Sequence, residues 1–285
     1  VIRIFDPAIT EKLGFAFRLP VFLFNGLFVA GYIFWILKKI TRDEWVSSWA
    51  TSLMLLSPVL LGISQIVNPD TLFWTFGSAS IFTFFAFLEL REKRFVWLTT
   101  LFFGLTLASK YVGVIFFPFF VIMILLHYLF RFEEHSKDPD IFPSRVKQDF
   151  SAYFTIIIGA TIILSLLMPA VFVKPKFLYE STIGFKGMLP IFLTLLAFVL
   201  FLLWDAYRWQ SQILTRSLKY LAPYTRLLEK TVISILLATV VFVLLNWLLR
   251  NSIYDLSDIP FDAKTKPSFT TDNALLARWI VEFVP

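Results

Sequence analysis

Residues 64–110 read SQIVNPDTLFWTFGSASIFTFFAFLELREKRFVWLTTLFFGLTLASK. A long apolar segment ends at Val67, and Asn68-Pro69-Asp70 follows. A second apolar segment runs to about Leu88 and meets the charges Glu89 to Arg94. A third runs from Phe95 to Ala108 and stops on Ser109-Lys110. If these segments cross a membrane, Asp70 and Lys110 emerge on one side and Arg91, Lys93 and Arg94 on the other. One carboxylate and one ammonium then share a face at the lipid–water boundary. The rest of the chain is expected to be organised around that face.

The whole sequence has the same character. Of its 285 residues, 58% are hydrophobic, only 16% are charged, and 35 are Phe; the mean hydropathy is +0.76. A soluble domain would be nearer half apolar, with about a quarter of its residues charged. The apolar residues fall into blocks of about 18 to 23, long enough to cross a hydrocarbon core of roughly 30 Å. The expected fold is all-α, a polytopic transmembrane helix bundle of about eight spans. The net charge of +6 does not point to nucleic acid, because the basic residues sit in short loops between apolar blocks, where they orient helices. No cysteine is present, which excludes disulfides, thiol catalysis and thiolate metal sites. The two histidines, His127 and His135, lie near no second metal ligand in the sequence. A histidine-based metal site and a cofactor are not expected, a divalent metal is left open by the sequence, and no signal peptide is visible.

In chain order, residues 1–18 read as the end of an external loop, with Asp6-Pro7, Glu11-Lys12 and Arg18. The apolar blocks are Leu19–Leu37, Trp45–Val67 with Pro58 inside, Thr71–Leu88, the short Phe95–Ala108, Val112–Phe130, Tyr153–Val173, Met188–Trp204 and Thr231–Leu249. Together they make a bundle over residues 19–249. The polar stretch from Arg131 to Asp149, with Asp138-Pro139-Asp140, reads as a loop. Within residues 205–230, Ile213, Leu214, Leu218, Leu221 and Leu227 recur at near-helical spacing among Arg216, Lys219 and Arg226. This predicts an amphipathic helix on the membrane surface. Residues 250–285 read as a further external loop and the start of a helix near Asn273. The chain begins at Val1 and stops at Pro285 as an apolar run begins, and so reads as an internal fragment of a longer protein.

The short loops set the expected orientation. Lys38 to Arg42 and Arg91 to Arg94 are basic, whereas Asn68 to Asp70 holds no Lys or Arg. The basic turns should face the cytoplasm. Asp70, Lys110, Lys174, Lys176 and Lys186 then lie outside it. Asp70 fits an N-cap of the following helix. It also fits a carboxylate that binds or activates a substrate group beside a polar cavity. Lys110 fits a snorkelling interfacial lysine, or a ligand for the phosphate of a lipid whose tail stays in the bilayer. Arg18, at the start of the first block, is an interfacial anchor or a second phosphate ligand on the same side. The stripe of Phe82, Phe84, Phe85, Phe116, Phe117, Phe119 and Phe120 reads as lipid-facing or packing surface.

Three segments carry a resemblance: Arg18-Leu-Pro, then LLSPVLLGISQIVNPDTLFW over 55–74, then a basic turn and GLTLASKYVGVIFFPFF over 104–120. Roughly from residue 15 to 125, the chain resembles the polyprenyl-phosphate-sugar-dependent GT-C glycosyltransferases. It is nearest the dolichyl-phosphate-mannose protein mannosyltransferases and the aminoarabinose transferases of lipid A. The family's Arg, Asp and Lys map to Arg18, Asp70 and Lys110.

The resemblance implies an inverting transfer from a polyprenyl-phosphate sugar to an acceptor hydroxyl on protein, lipid or glycan. It also implies a multi-pass enzyme, nearest to bacterial inner-membrane members, with its active face outside the cytoplasm. Lys110 and Arg18 would hold the leaving phosphate, and Asp70 the acceptor or the sugar. The Asp-Glu pair that the family carries after its first membrane helix is not found, and Asp6 has no adjacent acid. The expected fragment therefore lacks the family's main base.

A transporter or lipid-linked-sugar flippase is the alternative. It would carry charges inside helices and repeated halves, whereas these apolar blocks are nearly free of charge and show no repeat. A scaffold subunit finds no positive feature.

Overall fold

The computed structural model describes residues 19–56, 69–132, 141–168, 173–176, 179 and 188–248. Among them there are helices and no strands. α1 spans Leu19–Thr41, with one π-helical turn at Val29–Ile33. α2 is Glu44–Leu55, α3 Pro69–Leu90 and α4 Lys93–Ser109. A 3₁₀ turn at Tyr111–Ile115 leads into α5, Phe116–Phe130. α6 is Phe142–Leu167, α7 Met188–Arg208, α8 Gln212–Leu221 and α9 Thr225–Leu248. The described residues from 19 to 222 belong to one compact unit, and α9 belongs to a second.

The all-α, membrane-spanning reading holds. Five described helices are long and apolar enough to cross a membrane: Leu19–Thr41, Asp70–Leu90, Val112–Phe130, Phe142–Leu167 and Leu189–Arg208. The reading of about eight spans rests on the sequence blocks. α2 stops at Leu55, with Pro58 outside the described residues, and the 17 residues of α4 reach only about 25 Å at 1.5 Å per residue.

The short helix is nevertheless the centre of the first unit. α4 packs along α3 on one side and α6 on the other. Buried residues make up 61% of the α3 span, against 22 to 33% for the other four. Between helices in lipid there is no transfer gain from burial, so contact must come from close packing and small residues. Gly104 on α4 provides it: a Cβ there would lie 2.7 Å from Cβ of Ile163 on α6. A Cβ on Gly159 of α6 would crowd the Thr100 methyl of α4 more closely still.

The phenylalanine stripe is mostly core. Phe84, Phe103 and Phe120 are fully buried. Phe120 sits 4.8 Å from Phe84 and 5.2 Å from Phe103, centroid to centroid. Phe119 is the exposed member. α1 lays Val29, Ile33 and Leu37 against Ala79 and Phe102, and its Tyr32 hydroxyl lies 2.7 Å from Thr83 Oγ1 of α3.

Two stretches fold differently from the sequence expectation. α6 begins at Phe142, so residues 142–149 are helix rather than loop. Their charges do not break it because Asp149 is drawn inward to partners on neighbouring helices. The surface helix predicted within 205–230 is only α8. α7 runs on to Arg208, and the chain turns through Gln210 and Ser211 at φ 49 and 58. Asp205, fully buried, accepts the N–H groups of Ile213 at 3.2 Å and Leu214 at 3.0 Å. It thereby satisfies two orphan donors at the start of α8. Leu214 and Leu218 of α8 are buried while Arg216 and Lys219 are exposed, as an amphipathic helix requires.

Candidate active site

α3 and α4 form a helical hairpin. Pro69 opens α3 at its first position, where its missing N–H is no loss. Asp70 therefore lies inside the first turn, where the helix dipole favours a carboxylate; it is not the N-cap. At the far end of α4, Lys110 is the C-cap. Its backbone is extended, and its N–H donates to the Thr106 carbonyl at 3.0 Å. The chain then turns at once, with Gly113 N–H donating to the Lys110 carbonyl at 3.0 Å. A Cβ on Gly113 would meet Leu107 Cδ2 at 3.1 Å, so a larger residue there would push the Leu107 side chain aside by a few tenths of an ångström.

This geometry brings the two sequence-selected groups together. Lys110 Nζ forms an ion pair with Asp70 Oδ1 across 40 positions of chain. The lysine side chain is 45% exposed and the aspartate 25%. The pair stands at the mouth of the hairpin, partly exposed. Arg18 and Lys186 lie outside the described residues, as do Asp6 and His135. Lys174 and Lys176 are exposed.

Behind the pair runs a polar line that the sequence reading missed. Thr71 and Thr75 of α3 are buried, as is Asn25 of α1. The Thr75 hydroxyl donates to the Thr71 carbonyl at 2.8 Å and touches the Asn25 side-chain amide. An amide alone in an apolar block was the available signal, since such a group in a membrane helix needs a partner.

The opposite end of the hairpin holds a second cluster, also missed. Arg91 pairs with Asp149 Oδ1, and the buried Tyr128 hydroxyl donates to Asp149 Oδ2. Arg91 Nη2 is 3.4 Å from His127 Nε2. Glu89 accepts from Arg131 at 2.9 Å and faces His127 Nδ1 at 3.5 Å. A cleft of about 400 Å³ opens above them. Since α3 rises about 30 Å along its length, the two clusters sit on opposite faces of the bundle.

The sequence profile of the dolichyl-phosphate-mannose-protein mannosyltransferases matches residues 8–179, more than half of the chain. The chain belongs to the dolichyl-phosphate-mannose-protein mannosyltransferase family. The match takes in α1 to α6 and therefore both members of the Asp70–Lys110 pair. No curated protein and no solved structure matches the chain. Family membership makes it an integral membrane glycosyltransferase of the kind that uses a polyprenyl-phosphate sugar, and the apolar helices agree with that.

Proposed function

We propose that the Asp70–Lys110 face carries the transfer. A polyprenyl-phosphate sugar places its phosphate at Lys110 and its tail in the bilayer. The acceptor hydroxyl oxygen attacks the anomeric carbon from the side opposite the phosphate, so the configuration inverts. The new C–O bond forms as the bond to the phosphate oxygen breaks, and the polyprenyl phosphate leaves with that electron pair. The hydroxyl proton passes to a general base. Lys110, with Arg18 as a second cation, stabilises the charge that grows on the leaving phosphate. Asp70 orients the acceptor or the sugar. The face lies outside the cytoplasm, by the charge of the short loops, and the family name favours a protein acceptor.

The observation that carries this reading is the ion pair itself. Without ligand, the carboxylate and the ammonium neutralise each other. A donor phosphate competes with Asp70 for Lys110, so donor binding loosens the pair at the place where the acceptor is held. Asp149 inside α6 is the kind of charge a transporter would show, but Arg91 and Tyr128 already hold it.

The test is sugar transfer by the full-length protein in membranes, supplied with a radiolabelled polyprenyl-phosphate sugar. Label should pass from lipid to acceptor with the wild type, and Lys110→Ala and Asp70→Asn should each slow it without unfolding the protein. Normal transfer by both variants would remove the assigned face, and no transfer from any such donor would return the chain to the transporter reading.

A further inference from the structure

The cleft at the Arg91 end is lined by Ile40, Arg42, Leu88, Glu89, Leu90, Arg91, His127, Arg131 and Arg145. Four arginines from the ends of α1, α3 and α5 and the start of α6 thus converge on one opening. A second cleft of about 570 Å³ shares Arg42 and Leu90 with it and adds Lys38 and Lys39. Among the described residues, acids are fewer: Glu89 and Glu92 on the lining, and Asp149 behind Arg91. Glu89 holds Arg131, Glu92 holds Arg94, Asp149 holds Arg91, and Glu44 holds Lys38. Among the described residues, neither Arg42 nor Lys39 forms an ion pair. The balance of charge on the shared wall, among the described residues, is positive.

The backbone adds an independent observation. Arg42 and Arg91 each end a helix in the left-handed region, at φ 57 and 60. That position is ordinarily filled by glycine, because a Cβ there is strained by roughly 1 kcal/mol or more. Two of the four left-handed non-glycine residues described are therefore arginines on one cleft. A residue kept in strained backbone points to a use for its side chain. Guanidinium forks match phosphate oxygens, and the charge of a membrane surface is phosphate.

The geometry points to a phosphate-binding site in this cleft, on the face opposite the transfer site, with Arg42 as its central ligand and Lys39 and the already engaged guanidiniums of Arg91 and Arg145 around it. Its occupant is a phosphate group, borne by an anionic lipid headgroup or free in solution. Glu89 opposes such a group and sets a limit on its affinity. The inference does not depend on the transfer reading, since none of these residues touches Asp70 or Lys110.

The experiment uses the full-length protein in detergent, mixed with phosphatidylglycerol or phosphatidylcholine, and counts lipid retained per protein. A parallel titration follows the unfolding temperature against inorganic phosphate. Phosphatidylglycerol should be retained over phosphatidylcholine. Arg42→Gly should lower that retention about fivefold, the effect of one cation near an anionic headgroup, without lowering the unfolding temperature, because glycine relieves the left-handed backbone. Lys219→Gln, on α8, should leave retention unchanged. Stabilisation by inorganic phosphate that also displaces the lipid, and is lost in Arg42→Gly, would identify free phosphate as the occupant. The site is overturned if Arg42→Gly retains lipid and responds to phosphate as the wild type does. Equal loss on Lys219→Gln, which lies on α8 away from the cleft, would overturn it too, as would a wild type that binds neither probe.

Discussion

The two ends of the α3–α4 hairpin use the same chemistry to different effect. At one end the Asp70 carboxylate and the Lys110 ammonium meet at the mouth of the helices, both reachable from solvent. At the other, Asp149 is wholly buried and held by Arg91 and Tyr128, while Glu89 engages His127 and Arg131. An exposed pair contributes roughly 0 to 1 kcal/mol, so it can be opened by a ligand at little cost. A buried carboxylate with its partners gone costs several times that, so it cannot be opened without loss of the fold. The first end is suited to binding and release, and the second to holding α3, α5 and α6 in register.

That contrast can be broken most directly at Asp149. Asp149→Ala leaves Arg91 and Tyr128 facing an empty acceptor, and should cost about 3 to 5 kcal/mol of stability, read as a large fall in the unfolding temperature in detergent. Asp70→Ala should stay within about 1 kcal/mol in the same assay; equal losses would erase the difference between the ends. Next in size is Lys110→Ala, expected to lower sugar transfer about 10²-fold, the usual loss when one charge-stabilising donor is removed, with its unfolding temperature close to wild type. A matching fall in stability would make Lys110 structural.

A smaller effect sharpens the role of the short helix between the two ends. Gly104→Ala drives a methyl into Ile163 Cβ and should cost about 1 to 3 kcal/mol by overpacking. Unchanged unfolding would mean that α4 and α6 are free to separate. Smallest is Asn25→Leu, which removes the amide beside Thr75. Interhelical hydrogen bonds of this kind are worth about 0.6 kcal/mol. A much larger loss of transfer than of stability would place the Asn25–Thr75–Thr71 line within the site.

Much of the hairpin was legible. The spacing from Asp70 through Arg91 to Lys110 implied two crossings, and two crossings return Lys110 to the level of Asp70. The buried network was not legible, for a specific reason. Arg91, His127, Tyr128 and Asp149 lie on or beside three helices, and each has an ordinary local reading: turn charge, span residue, span residue, loop charge. Reading residues 131–149 as loop followed from the same habit, since a charge is counted as a break until its partner is known. Asp205 was hidden likewise, because a cap for α8 sits eight residues upstream of the first N–H it accepts.

The sequence by itself determined the class, the apolar helices and the shared face of Asp70 and Lys110, because blocks of about 20 apolar residues admit little else than helices in lipid. Only the tertiary structure decided which charges are locked and which are open. Whether a carboxylate is a hinge of the fold or a ligand for substrate depends on what the neighbouring helices place within 3 or 4 Å of it, and that distance is set by packing at Gly104, Gly159 and the Phe84–Phe120–Phe103 stack.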